Sequence, residues 1–453
     1  MKYIEALKIN PVHQLLFETL KSVATETNVK AYVIGGFVRD YFLGIGNEDI
    51  DIVVEGSGIE FAKAFATKTQ SNLSYYENYG TAMVKYQYSK YHNYYIEVEF
   101  VGARKEMYER GSRNPIVEDG TLEDDQKRRD FTINAMAFSL NEEDFGELVD
   151  PFNGLEDLNN GILRTPLDPN ITFSDDPLRM FRCARFKAKL SHFREFNIEE
   201  STYNAIKENK HRCHILTQER ITEEINKMLS YKRSDIGLQV MYETSLWEQA
   251  FPLKLHSGGA VKIDKIKELQ KYQGVADDFI YLKWFCLLYD SRWADDIDEF
   301  VRAMKLPNVL ATYINKIKDW LYLTIKNNDL SMLKRCITDC KLIMPEAAYP
   351  MIYDLELMWR VHEKIYKDIY CQGKYDIDIK YHRILNLIRE LAPEFLKFTC
   401  PISGDEICEL MNITPSKRVG EIKKEIEDGI YDGKIHNSLA GAKFYLITEY
   451  GID

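Results

Sequence analysis

The sequence predicts an α+β protein, with a small mixed sheet and its helices in the N-terminal part and an all-α remainder. Three observations predict this class. An apolar run, a glycine pair, an amphipathic segment and a second apolar run follow one another in Tyr32–Val54, which is the pattern of strand, turn, helix and strand. Apolar and polar residues alternate in Thr81–Tyr88 and in Tyr94–Val101, as in half-buried antiparallel strands. From about residue 230 to residue 390 the chain is helical in pattern, rich in aromatic residues and poor in glycine.

The composition is that of an ordinary globular protein. The chain has 453 residues, of which 45% are hydrophobic and 29% are charged, enough for about two to four domains. No apolar run approaches the ~18 residues of a membrane span, and the N-terminus lacks the apolar core of a signal peptide. We therefore expect no membrane association. The eight scattered cysteines are typical of reduced residues in a cytoplasmic protein. The net charge of -12 argues against broad nucleic-acid binding but allows a local basic groove.

Two helices are predicted on either side of the glycine turn. The first lies within residues 1–30, and its apolar stripe consists of Val12, Leu15, Leu16, Leu20 and Val23. The second, Ser57–Thr69, follows the second apolar run.

The glycine turn and the strand after it place two kinds of group together. Residues two apart on a strand point to one face, so Asp49 and Asp51 project together and repel each other unless a cation lies between them. A pair of Mg²⁺ ions is the usual partner of such carboxylates. Gly35 and Gly36 carry no side chain, so their amide groups at the start of a helix can approach an anion. The stretch predicts a metal platform beside a phosphate-binding turn.

A third carboxylate is expected from the strand that ends at Val101. Glu97 and Glu99 share one face of this strand, and Glu99 is the candidate for the third metal ligand. The alternative is an acidic strand edge that faces solvent.

The polar stretch Arg104–Asp125 is predicted to be a loop. It contains glycine, proline and a run of acidic residues. Its arginines, Arg104, Arg110 and Arg113, are candidates for contact with a triphosphate or with RNA.

The run R-R-D-F-T-I-N-A-M-A-F begins at Arg128 and places polar residues at the mouth of an apolar segment. Arg128 and Arg129 are suited to phosphate groups. Asp130 and Asn134 are suited to a ribose hydroxyl. The apolar tail, Ile133–Leu140, predicts a buried strand or the start of a helix, and Asp130 would cap that helix in the second case.

The run F-S-D-D-P-L-R-M-F-R-C-A-R-F-K-A-K-L predicts one helix that carries arginines on one face. Ser174 or Asp175 would cap it, with Pro177 in its first turn. The apolar stripe that packs consists of Leu178, Phe181, Ala184 and Ala188. The opposite ridge consists of Asp176, Arg179, Arg182 and Arg185.

This ridge has the chemistry to read a nucleotide base. Cytosine and adenine each present an amino donor beside a ring-nitrogen acceptor, whereas guanine and uracil present the reverse pattern. A carboxylate and a guanidinium, such as those of Asp176 and Arg179, fit the first pattern and reject the second. The alternative is an ordinary solvated face of a helix.

These stretches, in this order, resemble the motifs of the class II tRNA nucleotidyltransferases, a family that includes the CCA-adding enzymes and the bacterial poly(A) polymerases. G-G-F-V-R-D-Y-F-L-G followed by D-I-D-I-V-V resembles the first motif, and R-R-D-F-T-I-N-A matches the second residue for residue. D-D-P-L-R resembles the motif E-D-x-x-R, with Asp175 in the place of glutamate. E-R-I-T-E-E-I-N-K-M-L, Glu219–Leu229, resembles the fifth motif, which is structural in the family.

The resemblance implies a polymerase-beta-like head, Mg²⁺ as the cofactor, and transfer of nucleotides from CTP and ATP to the 3′ end of tRNA. The metal ligands would be Asp49, Asp51 and Glu99, of which the first two are catalytic. The nucleotide-binding residues would be Gly35, Gly36, Arg39, Asp40, Arg128, Arg129, Asp130, Asn134, Asp175, Asp176, Arg179, Arg182 and Arg185.

The helical body and the tail differ in what they indicate. Many relatives carry a metal-dependent phosphohydrolase in the body, which needs a His-Asp pair. Here Tyr289 and Asp290 stand at the expected place and His256 is isolated, so we predict no hydrolase. In the tail, a basic patch suited to an RNA backbone, or merely to solvent, consists of Lys417, Arg418, Lys423 and Lys424.

The predicted domains are a nucleotidyltransferase head (1–148), a helical neck that recognises the base (149–230), a helical body (231–390) and a tRNA-binding tail (391–453). Two other functions are compatible with the sequence. One is a neighbouring activity: poly(A) synthesis, or addition of only CC or only A. D-I-D-I-V-V-E-G favours the enzymes that act on tRNA. The other is a non-catalytic RNA-binding protein, against which the intact acidic and basic residues of the motifs argue.

Overall fold

The computed structural model describes residues 3–46, 49–87, 95–107, 116–252, 255, 258–271, 280–288, 297–315, 330–343, 386–387, 389–391, 393–395 and 397–452. The chain forms two units, Met1–His256 and Ser257–Asp453. The finer division into four domains stays a prediction. In the described ranges, no helix is both long enough and apolar enough to cross a bilayer.

The strands found among the described residues all lie in the first unit. They are β1 (Ala31–Ile34), β2 (Ile50–Val54), β3 (Asn72–Tyr76), β4 (Thr81–Gln87), β5 (Tyr95–Gly102), β6 (Arg104–Met107), β7 (Ile116–Asp119), β8 (Ala137–Ser139), β9 (Leu148–Val149), β10 (Ile162–Leu163) and β11 (Asn197–Ile198). The main sheet of the described residues has the order β3-β4-β5-β2-β1-β8-β9. Strands β2 and β5 are parallel, and the other neighbours in this sheet are antiparallel. Strands β6 and β7 form a separate antiparallel pair, and β10 and β11 a parallel one.

The helices occupy both units. Those of the first unit are α1 (Pro11–Thr27), α2 (Gly36–Leu43), α3 (Gly58–Thr69), α4 (Leu122–Lys127), α5 (Gly154–Asn160), α6 (Pro169–Asp175), α7 (Leu178–Leu190), α8 (Glu200–Asn209), α9 (Gln218–Ser230), α10 (Ser234–Glu243) and α11 (Trp247–Ala250). Those of the second unit are α12 (Gly259–Gln270), α13 (Ile280–Leu288), α14 (Ile297–Ala303), α15 (Leu330–Ile343), α16 (Gly404–Met411), α17 (Lys417–Tyr431) and α18 (Leu439–Tyr450). The predicted α+β class, a mixed sheet followed by helices, is confirmed.

The first predicted helix is present, but its buried stripe differs from the prediction and consists of His13, Leu16, Phe17, Leu20, Val23 and Ala24. Leu15 is 52% exposed, whereas Phe17, which the prediction left out, is fully buried. Phe17 follows Leu16 and precedes Leu20 by three residues, so the helical period brings all three onto the buried face.

The two faces of the main sheet have different roles. On one face α3 packs its aromatic side chains on β5, with the rings of Phe61 and Phe65 5.9 and 5.5 Å from the ring of Phe100. On the other face α4 contributes Leu122 to an apolar cluster that includes Val53. Asp51 lies two residues before Val53 on β2 and therefore shares this face. The apolar cover thus ends where the acidic residues begin.

The stretch predicted as a loop, residues 104–125, is largely ordered into β6, β7 and α4. Thr121 caps α4 in a capping box with Asp124, and the acidic run fills the first turn, where the helix dipole favours negative charge. The loop prediction was therefore wrong for these residues, because the acidic run is a helix start. Arg110 and Arg113 lie outside the described residues.

The helix predicted to carry the arginine ridge is interrupted. Asp176 has extended backbone angles, φ -132° and ψ 95°, because the following Pro177 disfavours the helical conformation in the residue before it. The chain is therefore helical as α6, breaks at Asp176, and is helical again as α7. The predicted caps, Ser174 and Asp175, belong to α6, and it is Asp176 Oδ1 that accepts a hydrogen bond from Leu178 N at 3.2 Å.

The second unit is helical in its described part. The ring of Trp284 in α13 lies 5.9 Å from that of Phe300 in α14. The residues on which the hydrolase prediction rests, Tyr289, Asp290 and His256, lie outside the described residues. That prediction therefore stays a prediction.

Candidate active site

Two carboxylates lie at the start of β2 on one cavity. Asp49 is exposed and precedes the strand, and Asp51 is its second residue. Both line a cavity of about 430 Å³ in the first unit. In the sheet, Asp51 is paired in register with Glu99 on the parallel strand β5. Paired residues of neighbouring strands point to the same face, so the three predicted acids share one face of the sheet.

The surroundings of these carboxylates favour a bound cation. Burial raises the pKa of Asp51, the cation of Arg129 opposes this rise, and the negative charge of Asp49 adds to it. Partial desolvation raises the pKa of Glu99, and so does the charge of Asp51. Carboxylates with raised pKa values lack sufficient positive charge nearby.

Asp49 and Asp51 fit a divalent cation by their chemistry, since oxygen ligands from carboxylates are those that Mg²⁺ takes. Among the described residues, no three acidic, histidine or cysteine side chains converge closely enough to form a metal-binding group. Glu99 is adjacent to Asp51 by strand register, and its role as a third metal ligand stays a prediction.

The glycine turn lies against the same cavity. Gly35 has a φ of +80°, and a Cβ atom there would lie 3.0 Å from Arg129 Nη1 and 3.9 Å from Asp51 Oδ2. A side chain at Gly35 would therefore be strained and would crowd both charged groups. Gly36 is the first residue of α2, and it also lines the cavity. The amide of Gly35 donates to the carbonyl oxygen of Met136 at 3.1 Å, so the amide at this helix start that lies beside the cavity is that of Gly36.

Arg39 and Asp40 form a buried ion pair. Arg39 Nε donates to Asp40 Oδ1 at 2.7 Å, and Arg39 Nη1 donates to Asn134 Oδ1 at 2.6 Å. On its other side, Asp40 Oδ2 lies 3.6 Å from Lys189 Nζ. Arg39 lines the cavity, whereas Asp40 lies behind it and fixes the two cations. The structure therefore does not bring Asp40 to the cavity wall.

Asp125 holds two arginines of the cavity wall, and the sequence interpretation missed it. Its buried carboxylate accepts from Arg128 Nε at 2.9 Å and from Arg129 Nε at 3.1 Å. Burial by itself would raise the pKa of Asp125, but the two guanidinium groups outweigh it and lower this pKa. The signal was present, since Asp125 precedes the arginines by three and four residues on a helix. Because this stretch was predicted to be a loop, its helical spacing was overlooked.

Asp130 is fixed by four donors. Its Oδ1 accepts from Phe131 N and from Asn134 Nδ2, each at 2.9 Å. Its Oδ2 accepts from Arg182 Nε at 2.8 Å and lies 2.7 Å from Arg182 Nη2. Burial opposes ionisation, but Arg182 and Asn134 outweigh it and lower the pKa of Asp130 to about 2. The helix-cap alternative is not realised, because Phe131 occupies the cap position of the short helix that follows.

The arginine ridge is held by protein acceptors. Arg179 Nη2 donates to the carbonyl oxygen of Arg128 at 2.5 Å, and Arg179 Nη1 donates to that of Thr172 at 3.3 Å. Arg185 Nε donates to Glu224 Oε2 at 2.5 Å, so α9 supports the ridge on α7. Glu224 lies in the stretch that resembles the structural motif, which was the available signal.

The two adjacent acids of the D-D-P sequence face different cavities. Asp176 lines the 430 Å³ cavity together with Asp49 and Asp51. Asp175 lines an adjoining cavity of about 210 Å³. Arg179 belongs to both linings, so it forms part of the wall between them. The structure therefore brings Asp176, but not Asp175, together with the β2 carboxylates.

The cavity also contains residues that the sequence interpretation did not select. They are Leu178, Phe186, Lys189 and Arg220. Leu178 was assigned to the packed stripe, but its position after the break turns it to the cavity. Lys189 lies one turn beyond Arg185, a spacing that would have revealed it.

The tail residues have mixed surroundings within the second unit. Arg418 Nη1 donates to Glu421 Oε2 at 3.2 Å, which partly neutralises it. Lys423 and Lys424 line a separate cavity of about 410 Å³, and Lys417 is exposed. A role of this patch in RNA binding stays a prediction.

Two parts of the chain match known families. Residues 31–164 match the family described as "Poly A polymerase head domain". Residues 195–254 match the one described as "Probable RNA and SrmB- binding site of polymerase A". The first match contains the glycine turn and the β2 carboxylates, and the second contains Glu224.

Named relatives extend these matches. The A-adding tRNA nucleotidyltransferase of Aquifex aeolicus is 41% identical over 180 residues, 40% of this chain and 20% of that protein, so the chain spans about a fifth of its length. The CCA-adding enzyme of Ligilactobacillus salivarius is 33% identical over 305 residues, 65% of this chain and 69% of that protein. A solved CCA-adding enzyme in its apo form II has a TM-score of 0.68 at 24% identity over 99% of both chains, a likeness of fold.

Proposed function

The chain belongs to the class II CCA-adding tRNA nucleotidyltransferase family, and we propose that it adds C and A nucleotides from CTP and ATP to the 3′ end of tRNA. One observation carries the proposal. The two carboxylates of β2, Asp49 and Asp51, line the same cavity as the phosphate-binding turn and the Asp176–Arg179 pair. Groups for metal, triphosphate and base thus face one space.

The metal ligands in this proposal are Asp49 and Asp51, with Glu99 as their neighbour on β5. Mg²⁺, when bound, activates the terminal 3′-hydroxyl and neutralises the leaving pyrophosphate. Burial raises the pKa of Asp51, so the ionised carboxylate is unfavourable in the metal-free protein, and a bound cation would stabilise it.

The triphosphate is proposed to lie on the glycine turn. Gly36 would offer its backbone amide at the start of α2, and Gly35, whose own amide donates to the carbonyl oxygen of Met136, leaves room for the ligand because it has no side chain. Arg39 and Arg129 line the same wall and are held by Asp40 and Asp125. Because these acids fix both guanidinium groups before substrate arrives, little side-chain freedom is lost on binding.

Ribose recognition is assigned to Asn134 and Asp130. The amide of Asn134 is fixed at both ends, because its oxygen accepts from Arg39 and its nitrogen donates to Asp130. One N–H and one oxygen lone pair remain for a ligand, a pair suited to a hydroxyl group. Asp130, ionised by its contact with Arg182, sets this orientation.

Base selection is assigned to Asp176 and Arg179. Asp176 uses one oxygen for the start of α7, which leaves the other for an exocyclic amino group. Arg179 is anchored by two carbonyl oxygens and retains N–H groups for a ring nitrogen. This arrangement accepts cytosine and adenine.

The remaining assignments concern the cell and the partner. We place the protein in the cytoplasm, where thiols remain reduced. Cys183 and Cys213 are free and buried, in keeping with that compartment. The tRNA is proposed to use the basic tail residues Lys417, Arg418, Lys423 and Lys424 for its backbone.

The deciding experiment offers three tRNA transcripts, which end before CCA, after the second C, and after the complete CCA. Each is incubated with each labelled NTP and Mg²⁺, and the products are sized. Addition of CCA to the shortest transcript, and none to the complete one, is expected. Addition to the second transcript alone would identify an A-adding enzyme, which the 41% identity to the A. aeolicus protein favours as the second candidate. Long adenosine tracts would indicate a poly(A) polymerase, and no incorporation a non-catalytic protein.

A further inference from the structure

The cations of the active-site cavity differ in whether the protein already neutralises them. Among the described residues, eight cations line this cavity. Seven of them contact protein acceptors. Six pair with acids: Arg39 and Lys189 with Asp40, Arg128 and Arg129 with Asp125, Arg182 with Asp130, and Arg185 with Glu224. The seventh, Arg179, donates to two carbonyl oxygens. The charge of such a group is partly neutralised by an internal acid, or its N–H donors are already used by backbone carbonyl oxygens.

Arg220 is the exception. It is exposed and lines the cavity, and it makes no hydrogen bond or ion pair with any residue of the described part of the chain. It stands in the first turn of α9, where the helix dipole disfavours a cation. A cation at this position therefore does not stabilise the helix.

The position of Arg220 on α9 points it at the ridge. Arg220 precedes Glu224 by one helical turn, so both lie on the same face of α9. Glu224 Oε2 accepts from Arg185 on α7, which fixes this face of α9 against the ridge. Arg220 is thus carried into the cavity by a helix whose orientation an ion pair determines.

We propose that Arg220 binds a phosphate group of the substrate. A guanidinium without an internal partner offers its full charge and its planar pair of donors to a new anion. The seven other cations are already partly neutralised or hydrogen-bonded within the protein. The phosphate belongs either to the incoming nucleoside triphosphate or to the RNA strand that is extended. The nature of these two substrates rests on the proposed function, but the binding of an anion by Arg220 does not.

The test uses equilibrium binding without turnover. The full chain, Arg220→Ala and Arg220→Lys are titrated with CTP and with ATP in the absence of RNA, and with a tRNA transcript that ends before CCA in the absence of NTP. Lys227→Ala is the matched control, since Lys227 lies on the same helix, is paired with Glu223 at 2.6 Å and does not line the cavity. Melting temperatures are recorded for all variants.

Arg220→Ala should weaken binding of one of the two ligands by about tenfold or more, as expected for the loss of a charged hydrogen bond. Arg220→Lys should recover part of the loss, and Lys227→Ala should bind as the wild type does. If the RNA is the ligand, the slope of log K against log salt should also fall by about one. If the triphosphate is the ligand, binding of both nucleotides weakens and that of tRNA does not.

Unchanged binding of all ligands by Arg220→Ala would overturn the inference, and so would a large fall in its melting temperature, which would show a structural role. Failure of the wild-type protein to bind either ligand would overturn it as well. If the wild type binds ligands in an Arg220-dependent manner but transfers no nucleotide, the proposed function fails and this inference stands.

Discussion

Asp51 and Glu99 lie directly opposite each other on the only parallel strand pair of the described main sheet, β2 and β5. Burial raises the pKa of both carboxyl groups, the negative charge of Asp51 adds to the rise at Glu99, and that of Asp49 adds to the rise at Asp51. The protein therefore keeps two like charges together on a sheet face that it could have filled with apolar residues. This arrangement costs stability unless a cation is bound, which makes it open to test.

The first prediction concerns Asp51 and Asp49. Replacement of either by asparagine should lower nucleotide transfer by at least about a hundredfold, because each change removes a metal ligand. Since the pKa of Asp51 is raised in the folded state, its ionisation destabilises the fold as pH rises above the ordinary carboxyl range. Asp51→Asn should therefore raise the melting temperature of the metal-free protein at pH 7. Near-normal incorporation by either variant would contradict the assignment.

The second prediction separates a third metal ligand from an acidic edge. Glu99→Gln should raise the Mg²⁺ concentration needed for half-maximal transfer by about tenfold or more. Glu97→Gln is the matched control, because Glu97 shares that strand face but is paired with Lys85 at 3.2 Å. Equal Mg²⁺ requirements for the two variants would assign Glu99 to the edge. The measurement is a Mg²⁺ titration of the initial rate.

The main elements of the head could be predicted because their signals are local. The strand–turn–helix–strand unit and the alternation in β4 and β5 follow from periods that the sequence displays directly. The edge strand β3 was missed, since its residues are mostly exposed and do not alternate. The interruption before Pro177 was missed because the apolar period continues across it, although the rule for residues before proline predicts it.

The site residues divide in the same way. Asp49, Asp51 and Asp176 were recognisable by their spacing within single segments, and they line one cavity. Arg220 enters the cavity from a separate element, α9, and Glu224 pairs with Arg185, 39 residues away in the chain. No local period reveals such pairs. They required the fold.

The third prediction concerns acid stability. The pKa of Asp130 is lowered to about 2, so its ionised form stabilises the fold above the ordinary carboxyl pKa, and this contribution is lost as pH falls from about 4 towards 2. Asp130→Asn should lower the free energy of unfolding at pH 7 by on the order of 2 kcal/mol. The same substitution should also make the free energy of unfolding less dependent on pH below pH 4. Denaturant titrations of both proteins at pH 7 and in acid provide the measurement.

The prediction would be contradicted if the free energy of unfolding of the wild type and of Asp130→Asn fell equally as the pH is lowered. A double-mutant cycle with Arg182→Gln serves as the control. If the effect of Asp130→Asn persists in the Arg182→Gln background, the stabilisation comes from Phe131 N and Asn134 and not from the ion pair.

The fourth prediction concerns the helical body. Because Tyr289 stands where a paired histidine is needed, we expect no metal-dependent hydrolysis of 2′,3′-cyclic nucleotides or of a generic phosphate ester. The assay uses Mn²⁺, Ni²⁺ and Co²⁺ in turn. Robust turnover that survives Asp49→Asn would show that the body holds a hydrolase site made from other residues.

The last prediction concerns base choice by Asp176 and Arg179. GTP would set its O6 against the carboxylate and its N1–H against the guanidinium, so that like groups face each other. Buried mismatches of this kind cost about 1–3 kcal/mol each, and two of them should exclude GTP and UTP by about a hundredfold or more. Asp176→Ala should therefore narrow the gap in kcat/KM between CTP or ATP and the other two nucleotides.

The structure makes the two variants of this pair unequal. Arg179 donates to the carbonyl oxygens of Arg128 and Thr172, so Arg179→Ala also loosens the contact between α7 and the segment after α4, and its overall rate should fall further. Asp176→Ala is the cleaner variant, and Asp175→Ala, whose carboxylate lines the adjoining cavity, should leave the discrimination among nucleotides unchanged. The measurement is kcat/KM for all four NTPs with each protein, since rate and selectivity separate in that comparison. If Asp176→Ala slows every nucleotide equally while Asp175→Ala alters selectivity, the base is read from the smaller cavity and the assignment is reversed.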